Sequence, residues 1–277
     1  MRTTIHTIKE CKKQKRKIVA LTAYDYSTAK SLDNAGVDVI LVGDSLAQVA
    51  LGHENTLSLT MDEMLHHAKA VVKGVKNALV VVDMPFLSYQ VSKKDAVLNA
   101  GRCLQIGAQA VKVEGASKDI LKTIEKMIST GIPVLGHVGF TPQSVNALGG
   151  NRVQGKTALA AKDLLSQAKD LQNVGCFAVV IELVPSEVGA LITENLDVPT
   201  IGIGAGSDCD GQILVTDDLL GKFMDFKPSF VKRYAELGKN TEDAVKDFIY
   251  DVQNGKYPQV NESFFMAEPE AEKLNKR

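Results

Sequence analysis

Four acidic residues, each placed after a short apolar run, give the first indication of chemistry in this 277-residue sequence. They are Asp44, Asp83, Glu114 and Glu182. A carboxylate at a strand end can simply cap the next helix or form a structural ion pair, and for any one of the four this alternative stays open. Four carboxylates at one site would repel each other unless a cation or protons were present. Oxygen ligands without cysteine or histidine partners suit Mg²⁺ rather than Zn²⁺.

A lysine interrupts one of these apolar runs, Ala110-Val-Lys-Val-Glu114. Side chains alternate along a strand, so Ala110, Lys112 and Glu114 share one face, and the two valines between them share the other. We expect the valines to meet outer helices, which directs Lys112 and Glu114 inward. A buried lysine is costly unless it is paired. Lys112 therefore either forms a structural pair with Glu114 or serves as the cation that holds an anionic substrate.

The same alternation directs Ala178, Val180 and Glu182 inward on another apolar run. His137 lies within Gly136-His-Val-Gly139. Three roles stay open for it: a ligand, an acid or a structural residue. The glycine-rich string Gly202-Ile-Gly-Ala-Gly206 has two interpretations. It could cradle a phosphate, or it could mark a close approach of two backbones.

The elements that must position these side chains follow from the pattern of apolar residues. We predict strands over Lys17–Leu21, Val37–Val42, Leu79–Asp83, Ala110–Glu114, Pro133–His137, Ala178–Glu182, Pro199–Ile203 and Gln212–Val215. Helical patterns lie over Ser27–Asn34, Met61–Lys73, Lys93–Ile106, Ser117–Ser129, Ala158–Asn173 and Ser186–Glu194. Apolar strands that alternate with helices are typical of a parallel sheet covered by helices. Eight such strands in about 250 residues indicate a (β/α)8 barrel.

A weak internal repeat supports the barrel. Gly36, Gly107 and Gly175 each end a helical pattern, and an acid follows eight, seven and seven residues later, after a strand. Barrel active sites lie at the carboxyl ends of the strands, so we expect the acids to converge there. An open, doubly wound sheet is the alternative. It would more often have fewer strands, and a dinucleotide-binding one would carry GxGxxG where this chain has TAYDY.

The composition argues against several classes of protein. With 32 Lys and Arg against 33 Asp and Glu, the net charge of −1 offers no basic surface for nucleic acid or membrane. No apolar run approaches the roughly 18 residues of a spanning helix. The amino terminus shows no export signal, so we expect a cytoplasmic protein. Four scattered cysteines without a CxxC pair favour neither a disulfide framework nor zinc.

We predict a single barrel domain over residues 1–277, because no linker or low-complexity segment interrupts the pattern. The basic run Lys12–Lys17 is expected to be a solvated lead-in to the first strand. A further helix is predicted over Thr241–Gln253, with Asn240 as its N-cap. The charged tail, residues 256–277, is expected to be mobile.

Several strings of residues together resemble one enzyme family. They are Leu21-Thr-Ala-Tyr-Asp25, Leu41-Val-Gly-Asp-Ser45, Asp83-Met-Pro-Phe86 with Ser88-Tyr-Gln90, Val111-Lys-Val-Glu-Gly115, Gly136 to Asn146 with Leu148-Gly-Gly150, Glu182-Leu-Val-Pro185, and Ile201 to Gly206 with Asp210 to Val215. In order and over roughly residues 3–255, they resemble the ketopantoate hydroxymethyltransferases. Two departures are Leu87, where a small residue is common, and Asn55, and neither touches the expected chemistry.

The resemblance implies a (β/α)8 barrel of the phosphoenolpyruvate/pyruvate type that acts in pantothenate and coenzyme A synthesis. The implied reaction transfers a hydroxymethyl group from 5,10-methylenetetrahydrofolate to 3-methyl-2-oxobutanoate, giving 2-dehydropantoate (ketopantoate). Mg²⁺ is the implied cofactor, and the implied assembly is a homo-oligomer, a decamer. Neither the resemblance nor the spacing locates the folate pocket.

The resemblance also assigns roles to the residues singled out above. It implies that Asp44 and Asp83 bind Mg²⁺, with Glu114 at or near the coordination shell, and that Glu182 is the base. The residues implied to contact the keto acid are Asp44, Ser45, Asp83, Lys112 and, as a further candidate, His137. A 2-keto acid can chelate Mg²⁺ through its carboxylate and carbonyl oxygens, and an inward glutamate can take the C3 proton.

Two other functions stay open at this point. A Mg²⁺-dependent 2-keto acid lyase of the phosphoenolpyruvate/pyruvate barrel type would be expected to carry a reactive cysteine motif. Cys103, Cys176 and Cys209 lie in no such motif. A non-catalytic, metabolite-binding barrel would not need an inward Glu182 opposite a metal site.

Overall fold

Eight parallel strands close into a barrel in the computed structural model, which describes residues 2–275. In chain order the strands are β1 (Ile18–Thr22), β2 (Val39–Val42), β3 (Leu79–Asp83), β4 (Ala110–Glu114), β5 (Val134–Gly139), β6 (Ala178–Glu182), β7 (Thr200–Ile203) and β8 (Gly211–Leu214). Each strand pairs with the next, and β8 pairs with β1. The predicted (β/α)8 barrel is confirmed, and the doubly wound alternative is wrong. β3, β4 and β6 have the predicted bounds, and the others differ by one or two residues.

Helices connect the strands and cover most of the outer face of the barrel. They are α1 (Ile5–Lys13), α2 (Tyr26–Ala35), α3 (Leu46–Val49), α4 (Met61–Gly74), α5 (Lys93–Gln105), α6 (Lys118–Ser129), α7 (Val145–Leu148), α8 (Ala158–Asn173), α9 (Ser186–Asn195), α10 (Thr216–Leu219), α11 (Leu237–Gln253) and α12 (Glu268–Asn275). No helix within residues 2–275 is both long enough and apolar enough to span a membrane.

The apolar core has two layers, one inside the barrel and one between the sheet and its helices. Ala110 and Val180 belong to the inner layer, whereas Val111 and Val113 belong to the outer one. This division follows from the two-residue period of side chains along each strand. The predicted inward direction of Lys112 is therefore confirmed.

Local capping explains where several helices begin and end. Asp25 accepts a hydrogen bond from the Thr28 amide at the start of α2, and Gly36 ends that helix with φ of 89°. Thr60 and Glu63 form a capping box at the start of α4. Such side chains satisfy amides that have no partner within the helix, and a left-handed residue favours glycine. These caps fix where the chain turns back toward the next strand.

The amino-terminal segment differs from the sequence-based expectation. Residues 13–17 of the basic run are exposed and lead into β1, as predicted, but the run begins inside α1, where Lys12 Nζ is 2.8 Å from Asp210 Oδ2. Ile8 and Cys11 of α1 are buried in the inner layer of the core. Helix α1 therefore closes the amino end of the barrel. Helix α1 has only nine residues, four of them charged, which is too short a window for the periodic pattern to be recognised in the sequence.

The carboxyl-terminal helix begins earlier than predicted. Helix α11 starts at Leu237, after Glu236, so Asn240 lies within the helix and its predicted N-cap role is wrong. Gly238 is the one buried residue of α11 among the described residues. The tail expected to be mobile contains a 3-10 turn, Val260–Glu262, and helix α12. Residues 276 and 277 lie outside the described part of the chain, and the mobility of the tail stays a prediction.

Candidate active site

A cavity of about 730 Å³ opens at the carboxyl ends of the strands. Five predicted site residues line it: Asp44, Ser45, Asp83, Lys112 and Glu182. The other two, Glu114 and His137, are buried directly beside them. The structure therefore brings all seven predicted residues into one cluster, at the end of the barrel where the chemistry of this fold takes place.

Two carboxylates lie side by side at the ends of β2 and β3. These strands pair with Val42 beside Val82, so Asp83 follows one residue after the pair and Asp44 two residues after it. The Asp44 amide donates a hydrogen bond to Asp83 Oδ2 at 2.9 Å. Burial, together with the charges of Asp83 and Glu114, raises the pKa of Asp44 to about 8. The pair therefore favours a proton or another cation beside Asp44.

Lys112 lies between two of the carboxylates. Its Nζ is 2.5 Å from Asp83 Oδ1 and 3.7 Å from Glu114 Oε1, with both partners buried. Burial alone lowers the pKa of Lys112, but the charges of Asp83 and Glu114 outweigh burial and the pKa is raised. Lys112 is therefore a permanent cation that also faces the cavity.

His137 connects Glu114 to Glu182. Its Nδ1 is 3.4 Å from Glu114 Oε1, and its Nε2 is 3.2 Å from Glu182 Oε2. Neither ring nitrogen has a partner with hydrogen-bond geometry, so these contacts are electrostatic. Burial and the charge of Lys112 lower the pKa of His137, but the two carboxylates raise it to about 9. At neutral pH the ring is therefore an imidazolium between two carboxylates.

Glu182 is the most exposed of the four acids in the cluster. Its side chain is 19% exposed, against 3% for Glu114. The backbone around it is tightly constrained, because the Phe140 amide donates to the Glu182 carbonyl at 2.8 Å. A Cβ at Gly139, where φ is 95°, would lie 2.2 Å from that oxygen. Only glycine fits this position, and the close contact fixes where Glu182 leaves the strand.

Gln143 is a site residue that the sequence reasoning missed. Its Nε2 donates to Asp44 Oδ2 at 3.1 Å and to the Met84 carbonyl at 2.9 Å. Its amide donates to Glu114 Oε2 at 3.0 Å, and its Oε1 accepts from the Tyr89 hydroxyl at 2.9 Å. Gln143 thus joins the acids of β2 and β4. It lies within a string that carries the family resemblance, but its role depends on the 3-10 turn Pro142–Ser144.

Ser45 is free to meet a ligand. It precedes the short helix α3 without capping it, and its Oγ lies 2.7 Å from the Tyr24 hydroxyl. Ser45 also lines the cavity. A Cβ at Gly43 would lie 2.9 Å from that Oγ, which accounts for the glycine two residues earlier. Tyr24 is a second residue that the sequence reasoning missed.

The donor set for a metal is incomplete within the chain. Among residues 2–275, no group of three or more His, Cys, Asp or Glu side chains is arranged to hold a metal ion. Asp44 and Asp83 are adjacent and face the cavity, whereas Glu114 is directed toward His137 and the amide of Gln143. Mg²⁺ is commonly held by one or two carboxylates plus substrate oxygens and waters. The pair suits that mode of binding, and the ligand role of Glu114 stays a prediction.

Three glycines of the string that begins in β7 pack closely against neighbouring residues, and the phosphate interpretation stays a prediction. A Cβ at Gly202 would lie 2.9 Å from Cys209 Sγ, and one at Gly206 would lie 2.6 Å from Ser186 Cβ. A Cβ at Gly204 would lie 3.0 Å from the ring of Phe230. These glycines therefore permit close packing, and their positions do not require a phosphate.

One wall of the cavity, beyond β8 and four strands away from β4 in the closed barrel, was not foreseen from the sequence. It is formed by the segment after β8, with Asp218 of α10 and the aromatic residues Phe223, Phe226 and Phe230. No motif marks this segment, because its residues converge only through the loop between α10 and α11.

The comparisons with known proteins agree with this geometry. The family model described as ketopantoate hydroxymethyltransferase matches residues 2–260. The chain is 57% identical over 256 residues to the 3-methyl-2-oxobutanoate hydroxymethyltransferase of Acetivibrio thermocellus, covering 92% of this chain and 90% of that protein. It is 52% identical over 275 residues to the enzyme of that name from Clostridioides difficile, covering 99% and 100%.

Solved structures of low sequence identity share the fold. Phosphonopyruvate hydrolase in complex with oxalate and Mg²⁺ superposes with a TM-score of 0.61 at 13% identity, covering 94% of this chain and 93% of that one. For 2,3-dimethylmalate lyase, of the PEP mutase/isocitrate lyase superfamily, the TM-score is 0.59 at 13% identity, with 99% of both chains covered. These superpositions agree with the (β/α)8 fold. The family model and the relatives of high identity show that the chain belongs to the ketopantoate hydroxymethyltransferase family.

Proposed function

We propose that this chain transfers a hydroxymethyl group from 5,10-methylenetetrahydrofolate to 3-methyl-2-oxobutanoate, giving 2-dehydropantoate and tetrahydrofolate. One observation carries the proposal. In a member of this family, Asp44, Asp83, Lys112 and Glu182 meet at the mouth of a single cavity. Asp44 and Asp83 supply two carboxylates for a metal ion, Lys112 supplies a fixed cation, and Glu182 supplies an accessible carboxylate. These are the groups that enolisation of a 2-keto acid requires.

Asp44 and Asp83 fit Mg²⁺ in the chemistry of their donors. Both are buried carboxylates, and four acids of the cluster face only Lys112 and His137 as cations within the described chain. Mg²⁺, when bound, would polarise the keto carbonyl and stabilise the negative charge of the enolate. We place Asp44 and Asp83 as its ligands and Glu114 at or near the coordination shell.

Lys112 and Ser45 are the groups that we expect to hold the keto acid. Lys112 faces the cavity with its charge fixed by Asp83, so it can attract an anionic carboxylate. Ser45 Oγ, oriented by the Tyr24 hydroxyl at 2.7 Å, can donate a hydrogen bond to the same substrate. These contacts would leave the C3 end of the keto acid free to point toward Glu182.

Glu182 is proposed as the base that takes the C3 proton. His137 lies 3.2 Å from Glu182 Oε2 and holds the carboxylate in place through its positive charge. A positioned base of this kind typically contributes about 10²–10⁴-fold to the rate. In the net reaction C3 forms one bond to the methylene carbon, both bonds from that carbon to folate nitrogens break, and water supplies the hydroxyl oxygen.

The two alternative functions have less support. A lyase that depends on a reactive cysteine would need a thiol at the mouth, and no cysteine lines the cavity within residues 2–275. Burial raises the pKa of Cys103 and of Cys176 to about 12, which leaves both thiols unreactive. A non-catalytic barrel would have no use for the exposed Glu182 beside an imidazolium.

A homo-oligomer is also part of the proposal. Val245, Phe248, Ile249 and Val252 form one exposed apolar face of α11. On β1, Val19 is 50% exposed, so the outer surface of the barrel is incompletely covered there. Association of copies would bury such surfaces, in line with the decamer that the family resemblance implies. A cytoplasmic location stays a prediction of the sequence.

The decisive experiment is an assay of folate-dependent product formation. Purified protein is incubated with Mg²⁺, 3-methyl-2-oxobutanoate and 5,10-methylenetetrahydrofolate, and 2-dehydropantoate is measured by mass spectrometry. We expect product only when both substrates are present. Cleavage of the keto acid without folate would favour the lyase, and binding of either substrate without any product would favour the metabolite-binding barrel.

A further inference from the structure

One end of the cavity contains an acid that the proposed mechanism does not use. Asp218 on α10 is 9% exposed and lines the cavity. Its carboxylate forms no hydrogen bond or ion pair with any side chain or amide of residues 2–275. Its neighbour Asp217 faces elsewhere, with Oδ1 3.2 Å from Lys222 Nζ. Neither oxygen is among the fully enclosed, unpartnered atoms of the described residues, so the carboxylate reaches the cavity and is open to a donor on a ligand.

An aromatic wall adjoins this carboxylate. Phe223, Phe226 and Phe230 line the cavity, with Phe226 61% and Phe230 37% exposed. The Phe223 amide donates to the Asp217 carbonyl, and its carbonyl accepts from Arg233, so the backbone holds this wall against α10. Flat apolar rings facing a cavity are suited to an equally flat partner.

The keto acid leaves most of the cavity unfilled. A volume of about 730 Å³ lies within the range of roughly 300–1,000 Å³ found for larger organic ligands. The keto-acid groups Asp44, Asp83 and Lys112 lie in or just after the neighbouring strands β2, β3 and β4, whereas Asp218 follows β8. A second substrate must place its reacting carbon beside C3 of the first, so it must enter this same cavity.

The chemistry of the free wall selects the ligand. The 2-amino-4-oxo ring of a reduced pterin presents two adjacent N–H donors on one edge, which match the two oxygens of a carboxylate. A phosphate or a second carboxylate would instead be repelled by Asp218. Burial and the charge of Asp217 raise the pKa of Asp218 to about 6, against the opposing charge of Arg233, so the group is mainly ionised at pH 7.5.

Resting on the proposed function, we propose that Asp218 binds the amino-oxo edge of the pterin of the folate donor, with its ring against Phe223, Phe226 and Phe230. The pterin lies between this wall and the keto acid. Asp218 is therefore a binding residue for the donor and takes no part in enolisation of the keto acid.

The test compares three proteins: the wild type, Asp218→Asn and the matched control Asp217→Asn. Tetrahydrofolate binding is measured by calorimetry at pH 7.5 in the presence of Mg²⁺ and keto acid. The substitution replaces one carboxylate oxygen by an amide NH2 group, which would then face an N–H donor of the pterin. We expect affinity to fall at least tenfold in Asp218→Asn and to stay within threefold in Asp217→Asn. In turnover, the KM for methylenetetrahydrofolate should rise more than kcat falls.

A second measurement needs no variant. The wild type is titrated with 6-methyltetrahydropterin and with its 2-desamino analogue, which lacks one of the two edge donors. We expect the analogue to bind at least tenfold more weakly. Equal binding of the two probes, or tetrahydrofolate affinity within threefold of wild type in Asp218→Asn, would overturn the proposal.

Failure of the proposed function would look different. Exchange of the C3 hydrogen of 3-methyl-2-oxobutanoate in D2O requires no folate, and NMR measures it for the same three proteins. If the wild type exchanges and binds tetrahydrofolate while Asp218→Asn keeps its folate affinity, only the placement of the pterin is wrong. If the wild type shows neither exchange nor folate binding, the proposed function itself is wrong.

Discussion

Lys112 Nζ lies 2.5 Å from Asp83 Oδ1, with both side chains buried. The contact follows from strand register, because β3 and β4 pair with Asp83 directly beside Lys112. A structural pair and a substrate-binding cation, which the sequence left as alternatives, are therefore compatible. The lysine is held by the acid and also faces the cavity.

Replacing Lys112 by methionine should affect both substrate binding and stability. The loss of a charge-assisted hydrogen bond costs roughly 1.5–3 kcal/mol, so the KM for the keto acid should rise by about 10–150-fold. The buried carboxylates would also lose their cation, so the thermal midpoint should fall. Steady-state kinetics and thermal unfolding measure the two effects.

The matched control for this variant is Lys12→Met. It removes another lysine–aspartate pair, Lys12 with Asp210 at 2.8 Å, at the opposite end of the barrel. Its KM should stay at the wild-type value. A normal keto-acid KM in Lys112→Met would show that Lys112 has a structural role alone.

Changing Asp83 to asparagine should weaken metal binding. Asp83 would supply one of two carboxylate ligands, and losing it should weaken Mg²⁺ at least as much as the roughly 10–100-fold known for outer-shell changes. Calorimetric titration of Mg²⁺ with keto acid present is the measurement. Asp38→Asn, which changes a carboxylate paired with Arg16 away from the cavity, should bind Mg²⁺ normally. Wild-type affinity in Asp83→Asn would contradict the assignment.

Sequence reasoning succeeded where a side chain is positioned by a regular strand. The direction of Lys112 follows from a period of two residues, and Glu182 ends β6 as predicted, so the sequence alone located both. The role of Gln143 was not predicted, because a 3-10 turn directs this side chain across the barrel mouth to Asp44. The role of Asp218 was not predicted either, since its unpaired state depends on the whole loop beyond β8.

The same distinction applies to helices. Helix α8 has the predicted bounds because a long amphipathic pattern identifies it. Helix α1 was missed because its fit to the barrel depends on two residues, Ile8 and Cys11. The N-cap expected at Asn240 was wrong because an asparagine can also lie inside a helix that tertiary contacts extend.

Charge placed on the apolar face of α11 should disrupt association. Phe248 is 53% exposed there, so Phe248→Asp would put a carboxylate into any interface that covers it. We expect the mass from light scattering to fall relative to wild type. Each residue turns the helix by about 100°, so Lys239 lies on the side opposite Phe248. Lys239→Glu should therefore leave the mass unchanged. An unchanged mass in Phe248→Asp would show that α11 does not mediate assembly.

Asp218→Asn should stabilise the chain while it weakens the donor site. The pKa of Asp218 is raised from 3.8 to about 6, so the folded chain binds more protons than the unfolded chain between these values. Wild-type stability therefore falls as pH rises through that window. At pH 7 the free energy of unfolding of the variant should exceed that of the wild type by about 1–2 kcal/mol. This is less than the roughly 3 kcal/mol that the full pKa shift corresponds to. Urea unfolding at pH 4 and pH 7 measures this gain, which should be small at pH 4. A loss of stability at pH 7 would instead indicate a structural role for Asp218.

Glu182→Gln tests the base in isolation from the folate. Enolate formation needs only metal and keto acid, so the wild type should exchange the C3 hydrogen of 3-methyl-2-oxobutanoate in D2O without a donor. The variant keeps the size of the side chain but loses its basic oxygen, so exchange should fall by about 10² or more. Binding of Mg²⁺ and keto acid should persist, because Glu182 is not among their expected ligands.

Proton NMR of the C3–H signal follows this exchange directly. Glu187→Gln is the matched control, since Glu187 is an exposed glutamate in the first turn of α9. It should exchange at the wild-type rate. If Glu182→Gln also exchanges at that rate, another residue removes the proton. His137 would then be the next candidate, because its Nε2 lies 3.2 Å from Glu182 Oε2. Since its pKa is raised to about 9, the ring would first have to lose its own proton.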